Sequence, residues 1–217
     1  MSTIKPNIFI AGASGTGKST SLRNLDPEKT IIINTEEKQL PFRGAGKFKK
    51  SVVVGSYMAY LSVIKKALAN TDADVIVIDS FTSLQEQVLM YCKSAYKGFD
   101  VWNEYATAIY GILKQAKASN KYVVFMGLGE PLQDENGITK WSVKVDGKAM
   151  KGAVEKEFTI VLWTSVDMQK PMNERYQLRT NTDGQNTAKS PMEMFDLELI
   201  PNDLNAVVSA ANEYYEF

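Results

Sequence analysis

The feature that most constrains the fold is a glycine-rich segment near the start of the chain, with the spacing G-x-x-x-x-G-K-S over residues 12–19. A strand-like apolar run precedes it at residues 7–11, and a run compatible with a helix follows it at residues 20–25. This context is typical of a loop that binds phosphate groups, which we call the phosphate loop. Glycines let successive N–H groups point at phosphate oxygens, and the following helix adds its positive N-terminal dipole. The segment therefore predicts a nucleotide site.

Each residue type in the phosphate loop has an expected role. Lys18 is expected to reach the β- and γ-phosphates, and the Ser19 hydroxyl to bind Mg²⁺. The alternative is a glycine-rich turn whose lysine faces solvent, but the flanking strand and helix patterns favour nucleotide binding. The predicted cofactors are therefore ATP and Mg²⁺. The residues expected to surround the phosphates are Gly12, Ala13, Ser14, Gly15, Thr16, Gly17, Lys18, Ser19 and Thr20.

A second signal is the apolar run at residues 75–78, which ends in Asp79. An acid in this position of a parallel strand lies at the edge of the sheet where α/β folds bind their ligands. We expect the Asp79 carboxylate to hold Mg²⁺ together with Ser19. The alternative, in which Asp79 only caps the next helix, is the weaker hypothesis once the phosphate loop is present.

The remaining pattern predicts an α/β fold with a mostly parallel central sheet flanked by helices. Continuous apolar runs at 30–34, 52–54 and 122–128 are typical of strands buried on both faces. Helical spacing is expected at 18–25, 57–68, 83–96 and in the tail from residue 202, and an apolar stripe that includes Trp102 is expected to face the core. Further strands are expected at 158–164 and 176–180, with a possible hairpin turn at residues 146–147.

No linker or repeat divides the chain, so residues 1–217 are expected to form a single domain. Residues 1–130 would be the nucleotide-binding core. Residues 131–217 would complete the sheet with antiparallel strands and a final helix.

Composition excludes several kinds of chemistry. The chain has no histidine, which excludes catalysis and metal binding by that residue, and its single cysteine, Cys92, cannot form an internal disulfide. The 25 basic and 25 acidic residues cancel, so any nucleic-acid site must be a local patch. We see neither a secretory leader nor an apolar run long enough to span a membrane, and we expect a cytoplasmic protein that does not bind membranes.

The order of these motifs resembles the RecA-like branch of P-loop ATPases. The resemblance rests on the phosphate loop, a strand that ends before Glu36 and Glu37, the strand that ends in Asp79, and a strand that ends before Glu130. It implies that Glu36, or Glu37 as the fallback, polarises the attacking water. It also implies a γ-phosphate sensor at Glu130, although that branch commonly has an amide there. The alternative for the paired acids is a solvated loop.

Over its whole length the chain is similar to phage-type RecA-like nucleotide-binding proteins, a group with single-strand annealing and recombination ATPases. Less specific support for this similarity comes from residues 147–148, 188–191 and 200–204. The resemblance implies an ATPase in the host cell cytoplasm that acts on single-stranded DNA. It implies a homo-oligomer, as a ring or a filament, with ATP at subunit interfaces. A neighbouring subunit would supply Lys148 or Lys151 to the γ-phosphate, although either could be a plain surface lysine. A phage single-strand-binding protein is a further expected partner.

Binding to single-stranded DNA requires cations along a groove and aromatic platforms for the bases. The loop regions that RecA-like proteins use for DNA contain this mixture, and the expected DNA contacts are Lys97, Lys140, Trp141 and Lys144. Two alternatives stay open at this point. One is a nucleotide kinase, which the small number of arginines disfavours, and the other is a nucleotide-gated assembly or packaging component.

Overall fold

The computed structural model describes residues 4–133 and 137–217. The strands are β1 (Ile8–Ala11), β2 (Thr30–Asn34), β3 (Val52–Val53), β4 (Val75–Asp79), β5 (Tyr122–Gly127), β6 (Gly129–Gln133), β7 (Thr139–Val143), β8 (Ile160–Val166), β9 (Tyr176–Arg179) and β10 (Leu199–Pro201). The α-helices are α1 (Tyr57–Ala69), α2 (Phe81–Ala95), α3 (Asp100–Lys117) and α4 (Leu204–Tyr214). Short 3₁₀ helices cover Ser19–Asn24, Ala45–Lys47, Lys148–Met150 and Val154–Glu157.

Eight strands form the central sheet in the order β10-β9-β8-β1-β5-β4-β2-β3. The six strands from β8 to β3 run parallel to one another, and every residue of β1, β2, β4 and β5 is buried. The sequence produces this arrangement because apolar side chains on both faces of a strand require a layer on each side. β9 and β10 add an antiparallel edge. The predicted α/β fold, mostly parallel with antiparallel strands toward the C-terminal half, is confirmed.

The two faces of the sheet pack against different layers. Alternation along β1 places Phe9 on the face covered by α1, α2 and α3, where its ring contacts Phe81 with the centroids 5.6 Å apart. Ile8 and Ile10 lie on the opposite face, in the cluster that contains Leu204 of α4. Both layers leave the carboxyl ends of the strands uncovered, which is where α/β folds build ligand sites.

Three local predictions differ from the structure. The helix predicted over 18–25 is the 3₁₀ helix Ser19–Asn24, so it adds less aligned dipole than an α-helix. The hairpin predicted around residues 146–147 is absent from the described residues, because β7 pairs with β6 and Lys148–Met150 is a 3₁₀ helix. Trp102, predicted to face the core, is 41% exposed because it lies in the first turn of α3, where only part of the helix is covered.

No helix within 4–133 and 137–217 is both long and apolar enough to cross a membrane.

Candidate nucleotide site

A pocket of about 430 Å³ opens at the carboxyl ends of β1, β2 and β4. Its walls bring together the phosphate loop, the residues that follow β2 and β4, and the start of β9. The residues that line it are Ser14, Gly15, Gly17, Lys18, Ser19, Thr20, Glu36, Lys38, Pro41, Asp79, Ser80, Leu128 and Tyr176. The sheet, including its antiparallel strand β9, therefore gathers residues that are more than 150 positions apart in the sequence.

The phosphate loop itself has the backbone that an anion cradle requires. Gly15 and Gly17 have φ of 77° and 93°, a left-handed conformation that turns consecutive N–H groups toward one side. The Lys18 ammonium donates to the carbonyl oxygens of Gly12 and Ala13 at 3.0 and 2.7 Å. Burial lowers the pKa of Lys18, an effect that the charges of Asp79 and Glu36 oppose. A phosphate group would stabilise this half-buried ammonium better than two neutral carbonyls do.

Side chains from distant segments hold the phosphate loop in place. The Asn202 amide donates to the Gly17 carbonyl at 2.8 Å, and the hydroxyls of Thr16 and Thr164 are 2.6 Å apart. A side chain at Gly17 would approach the Asn202 amide within 2.6 Å and the Tyr176 ring within 3.1 Å. Glycine is therefore required at this position by close packing as well as by φ.

Asp79 is the most buried acid of the pocket, with 8% of its surface exposed. Burial raises the pKa of the Asp79 carboxyl, whereas a hydrogen bond with the Ser19 side chain lowers it. The two side chains are therefore neighbours, and together they offer the oxygen ligands that Mg²⁺ prefers. Within the parts of the chain that the structure describes, no group of three or more acidic or thiol side chains could hold a metal. This donor set fits a Mg²⁺ ion that takes its other ligands from phosphates and water.

The two candidate catalytic carboxylates are placed differently. Glu36 lines the pocket, where its Oε1 accepts a hydrogen bond from the Ser80 hydroxyl at 2.8 Å and its Oε2 lies 3.3 Å from the Lys38 ammonium. Glu37 does not line the pocket, and its left-handed backbone, with φ of 58°, turns its carboxylate toward Gly55. The structure thus brings Glu36, and not Glu37, together with Lys18, Ser19 and Asp79.

Glu130, Lys148 and Lys151 do not line the pocket of their own chain. Glu130 forms a 3.0 Å ion pair with Lys151 and accepts a hydrogen bond from the Val145 backbone at 3.3 Å. Lys148 is exposed and makes no ion pair within the described residues. Of the two lysines expected to act on a neighbouring subunit, Lys151 is paired with Glu130, whereas Lys148 has no ion-pair partner among the described residues.

The residues expected to contact DNA lie on the surface. Lys97 is exposed in the turn between α2 and α3, and Lys140 and Lys144 are exposed in and after β7. Trp141 is 44% exposed, and its backbone N–H donates to the Gln185 carbonyl at 2.7 Å. Its side chain also lines a second cavity, of about 280 Å³, against the phosphate loop at Gly12 and Thr16. Of these four residues, Trp141 thus lines this cavity beside the phosphate loop.

Sequence reasoning missed Lys38, Ser80, Thr164, Tyr176 and Asn202. Ser80 and Thr164 follow or end predicted strands, so the rule that ligands bind at carboxyl ends of parallel strands could have found them. Tyr176 and Asn202 carry no local signal. Tyr176 reaches the pocket because β9 pairs with β8, and Asn202 reaches the phosphate loop because its N–H donates to the Tyr176 carbonyl at 3.2 Å.

Comparison with curated proteins found no significant match. A family model described as an AAA domain matches residues 4–192, which include the phosphate loop, Glu36 and Asp79. The match covers well over half of the chain, and the chain belongs to this AAA-domain family of P-loop NTPases.

Proposed function

We propose that this protein is a RecA-like ATPase of the phage type that binds ATP with Mg²⁺, hydrolyses it, and acts on single-stranded DNA in recombination, annealing or repair. The observation that carries the proposal is the convergence of Lys18, the Ser19–Asp79 pair and Glu36 in one pocket. They supply a cation that binds phosphate, a pair of oxygen ligands for Mg²⁺ and a carboxylate suited to orient water. Phosphoryl transfer to water requires this set of groups.

Each group has a distinct part in the proposed reaction. Lys18 and the phosphate-loop N–H groups bind the β- and γ-phosphates, while Ser19 and Asp79 would hold Mg²⁺, which neutralises phosphate charge. Glu36 accepts a hydrogen bond from the attacking water and takes its proton as the new P–O bond forms. The bond to the β-phosphate oxygen breaks, and ADP and phosphate result. The Ser80 hydroxyl and Lys38 hold the Glu36 carboxylate in place for this step.

Tyr176 is the proposed contact for the base. Its ring packs against Gly17 and lines the same pocket as Thr20 and Pro41. An aromatic face beside the phosphate loop can stack on a purine ring, because both surfaces are flat and apolar. The pocket therefore offers a charged end for phosphates and an aromatic end for a base.

The DNA part of the proposal is supported by the position of Trp141. Trp141 is a partly exposed aromatic residue, and exposed Lys140 and Lys144 are one and three positions from it in the sequence, so the region combines a stacking surface with positive charge. Because the same side chain lines a cavity against the phosphate loop, a base that moves it would act on the nucleotide site. The proposed consequence is ATP turnover that responds to single-stranded DNA.

A homo-oligomer, as a ring or a filament, is proposed because the pocket is short of positive charge. Lysines 18 and 38 are the cations among its described lining residues, and Lys38 is paired with Glu36. Phosphoryl transfer develops negative charge that a further cation stabilises. A neighbouring subunit can supply that cation through Lys148, which has no ion-pair partner within the described residues of its own chain.

The decisive experiment measures ATP turnover with and without single-stranded DNA, over a range of salt and protein concentrations. We expect Mg²⁺-dependent turnover that rises faster than linearly with protein concentration and is stimulated by DNA. The stimulation should decrease as salt rises, because phosphate contacts release counterions. Lys140→Ala should weaken it, while the matched variant Lys47→Ala, in the 3₁₀ helix Ala45–Lys47, should not. Turnover that is indifferent to DNA and linear in protein concentration would contradict the DNA and oligomer parts of the proposal.

A further inference from the structure

The second cavity, of about 280 Å³, lies at the carboxyl ends of β1 and β8 and shares no lining residue with the nucleotide pocket. Gly12, Ala13 and Thr16 form its wall toward the phosphate loop, and its other walls come from β7, β8, β9 and the loop after β9. Sites for drug-sized ligands usually measure about 300–1,000 Å³. The second cavity therefore suits one ring system and is too small for a whole nucleoside triphosphate.

Two indole rings meet at the second cavity. Trp163 is buried, whereas Trp141 is 44% exposed. A side chain at Gly129 would approach the Trp163 ring within 2.6 Å and the Trp141 ring within 3.5 Å, so glycine leaves these rings room to lie near each other. The Trp163 Nε1–H donates to the Thr187 hydroxyl at 3.3 Å, which fixes the buried ring. The cavity thus offers an accessible aromatic face, which favours a flat ligand.

The polar wall of the second cavity is the loop of residues 182–187, whose conformation is held by its own hydrogen bonds. The Asp183 carboxylate accepts from the Gln185 N–H at 3.0 Å and from the Asn186 side-chain amide at 2.9 Å. The Gln185 carbonyl accepts from the Trp141 N–H, which ties the loop to β7. The side-chain amide of Gln185, by contrast, makes no hydrogen bond within the part of the chain that the structure describes. A carboxamide offers donors beside an acceptor, so this group is available to a ligand.

The charge in the second cavity is already balanced. Arg179 lines it, and its guanidinium lies 3.4 Å from the Asp183 carboxylate and 3.5 Å from the Glu198 carboxylate. A phosphate group would compete with both carboxylates for the guanidinium and would be repelled by them. The cavity therefore favours a neutral ligand over an anion.

We propose that the second cavity binds one unstacked nucleobase of a single strand, which stacks on the Trp141 ring and pairs its edge with the Gln185 side-chain amide. A base meets each requirement, because it is flat and neutral and carries donors beside acceptors along its edge. The assignment rests on the proposed function, since the DNA strand is the source of the base. It adds Gln185, which lies far along the chain from the DNA contacts predicted from the sequence.

A base in the second cavity lies against groups that hold the phosphate loop. The Thr164 hydroxyl is 2.6 Å from the Thr16 hydroxyl, and it donates to the Ala11 carbonyl at 3.3 Å. Both threonines line the cavity. An occupied cavity therefore restrains the position of Thr16, which gives the strand a physical connection to the loop that binds the phosphates of ATP.

Binding of two matched strands to the full chain, measured without ATP, tests the base site. One labelled strand of about ten nucleotides carries bases, a length within the range of single-strand sites. The other has the same backbone with abasic sites, so the two strands present equal phosphate charge. We expect the base-containing strand to bind at least about fivefold more tightly in fluorescence anisotropy, the low end of the contribution of one base stacked on an aromatic ring.

Variants of the cavity separate base contacts from phosphate contacts. Trp141→Ala should raise the dissociation constant of the base-containing strand by about fivefold, and Gln185→Ala should raise it by about threefold, the effect of one lost hydrogen bond. Binding of the abasic strand should not change, whereas a residue that contacts only phosphates would affect both strands alike. The matched control is Gln169→Ala, at an exposed glutamine outside the cavity, which should change neither value.

Equal binding of the two strands, or variants at positions 141 and 185 that bind both strands as the parent does, overturns the base site while DNA binding and the proposed function stand. Absence of binding to either strand contradicts the DNA part of the proposed function and removes the strand as the source of the base. A free deoxynucleoside monophosphate should displace the strand only weakly. A monophosphate that binds as tightly as the strand overturns the assignment to a strand. Weakened ATP binding in Gln185→Ala with both strands unaffected overturns it in favour of the base of ATP.

Discussion

The phosphate loop and the segment after β5, which the structure describes over residues 129–133 and 137–151, leave the sheet side by side, since Ala11 at the end of β1 pairs with Gly127 at the end of β5. They are stabilised in different ways. The phosphate loop has its own backbone geometry, with left-handed glycines at positions 15 and 17. The second segment depends on a buried side chain that comes later in the chain, Glu155, whose Oε1 accepts from the Ser142 hydroxyl and the Val143 N–H at 2.6 and 2.8 Å. Local sequence therefore specifies the glycine conformations of the first region, which Asn202 and Thr164 then hold in place, whereas the second region depends on a carboxylate 12 to 13 positions further along the chain.

Of these variants, Lys18→Ala should have the largest effect on ATP binding, and it should act only on the phosphate loop. We expect ATP binding to be lost, because the ammonium supplies the main positive charge of the phosphate loop, while the fold is retained because its partners are loop carbonyls. Thermal unfolding measures both outcomes, since ATP that binds the folded state raises the melting temperature. The control is Lys47→Ala, which lies outside the pocket. A variant at position 18 that still shows the ATP-dependent shift would remove the basis for the phosphate-binding assignment.

Glu36→Gln should slow hydrolysis by about 10²-fold or more, the scale of a lost general base, and leave nucleotide binding intact. Single-turnover kinetics at saturating ATP separate the two effects. Glu37→Gln is the matched control, because Glu37 is adjacent in sequence but turned away from the pocket. If the control loses turnover and Glu36→Gln does not, the catalytic role belongs to Glu37.

Glu155→Ala tests the second region. The change leaves the Ser142 hydroxyl, the Val143 N–H and the Thr187 hydroxyl without their common acceptor in a buried site. We expect a loss of about 2 kcal/mol or more in the free energy of unfolding, the range for buried polar groups left unpaired. Urea unfolding measures it, with exposed Glu193→Ala as the control. A change below about 0.5 kcal/mol, the scale of ordinary surface substitutions, would mean that the segment is held by its own β6–β7 pairing.

The same contrast explains how much could be read from sequence. The order of the apolar runs predicted the parallel sheet, because a strand buried on both faces has a strong local pattern. The residues at the ends of these runs then placed Lys18, Ser19, Glu36 and Asp79 at one edge of that sheet. The pairing of β7 with β6 could not be predicted from the sequence, because the run at 138–145 could equally pair with a strand before it or with one after it in the chain. Tyr176 and Asn202 could not be found either, because their places depend on the register of the antiparallel edge.

Trp102 shows the limit of periodicity as evidence. Helical spacing correctly predicts that Tyr105, Ile109 and Leu113 of α3 are buried, but it gives no information on where the covering layer ends. In the first turn of the helix Val101 is buried while Trp102 is 41% exposed, so a side chain with core-like spacing lies at the edge of the covered face. An exposed residue within a core pattern is therefore a reason to search for a partner.

Of these variants, Asp79→Asn should have the smallest effect. It should make the free protein slightly more stable, and it should weaken nucleotide binding. Burial raises the pKa of the Asp79 carboxyl above its ordinary value of 3.8, so the folded state disfavours the charged form. This cost is absent below the unfolded pKa, grows as pH rises through the folded pKa, and is constant above it. Removing the charge should therefore raise the melting temperature of the free protein near pH 7 by a few degrees, about the shift that 1 kcal/mol or less produces in a chain of this size.

The gain should shrink as the pH falls into the acid range, because the wild-type carboxyl then becomes increasingly protonated as well. The same variant should weaken binding of ATP in the presence of Mg²⁺, since an amide is a poorer ligand than a carboxylate. Calorimetric melting curves between pH 4 and 8, with exposed Asp72→Asn as the control, separate the two effects. A variant that is destabilised at every pH would show instead that the Asp79 carboxylate stabilises the sheet edge through its hydrogen bond with Ser19. Sheet stability, and not only magnesium binding, would then depend on the most buried acid of the pocket.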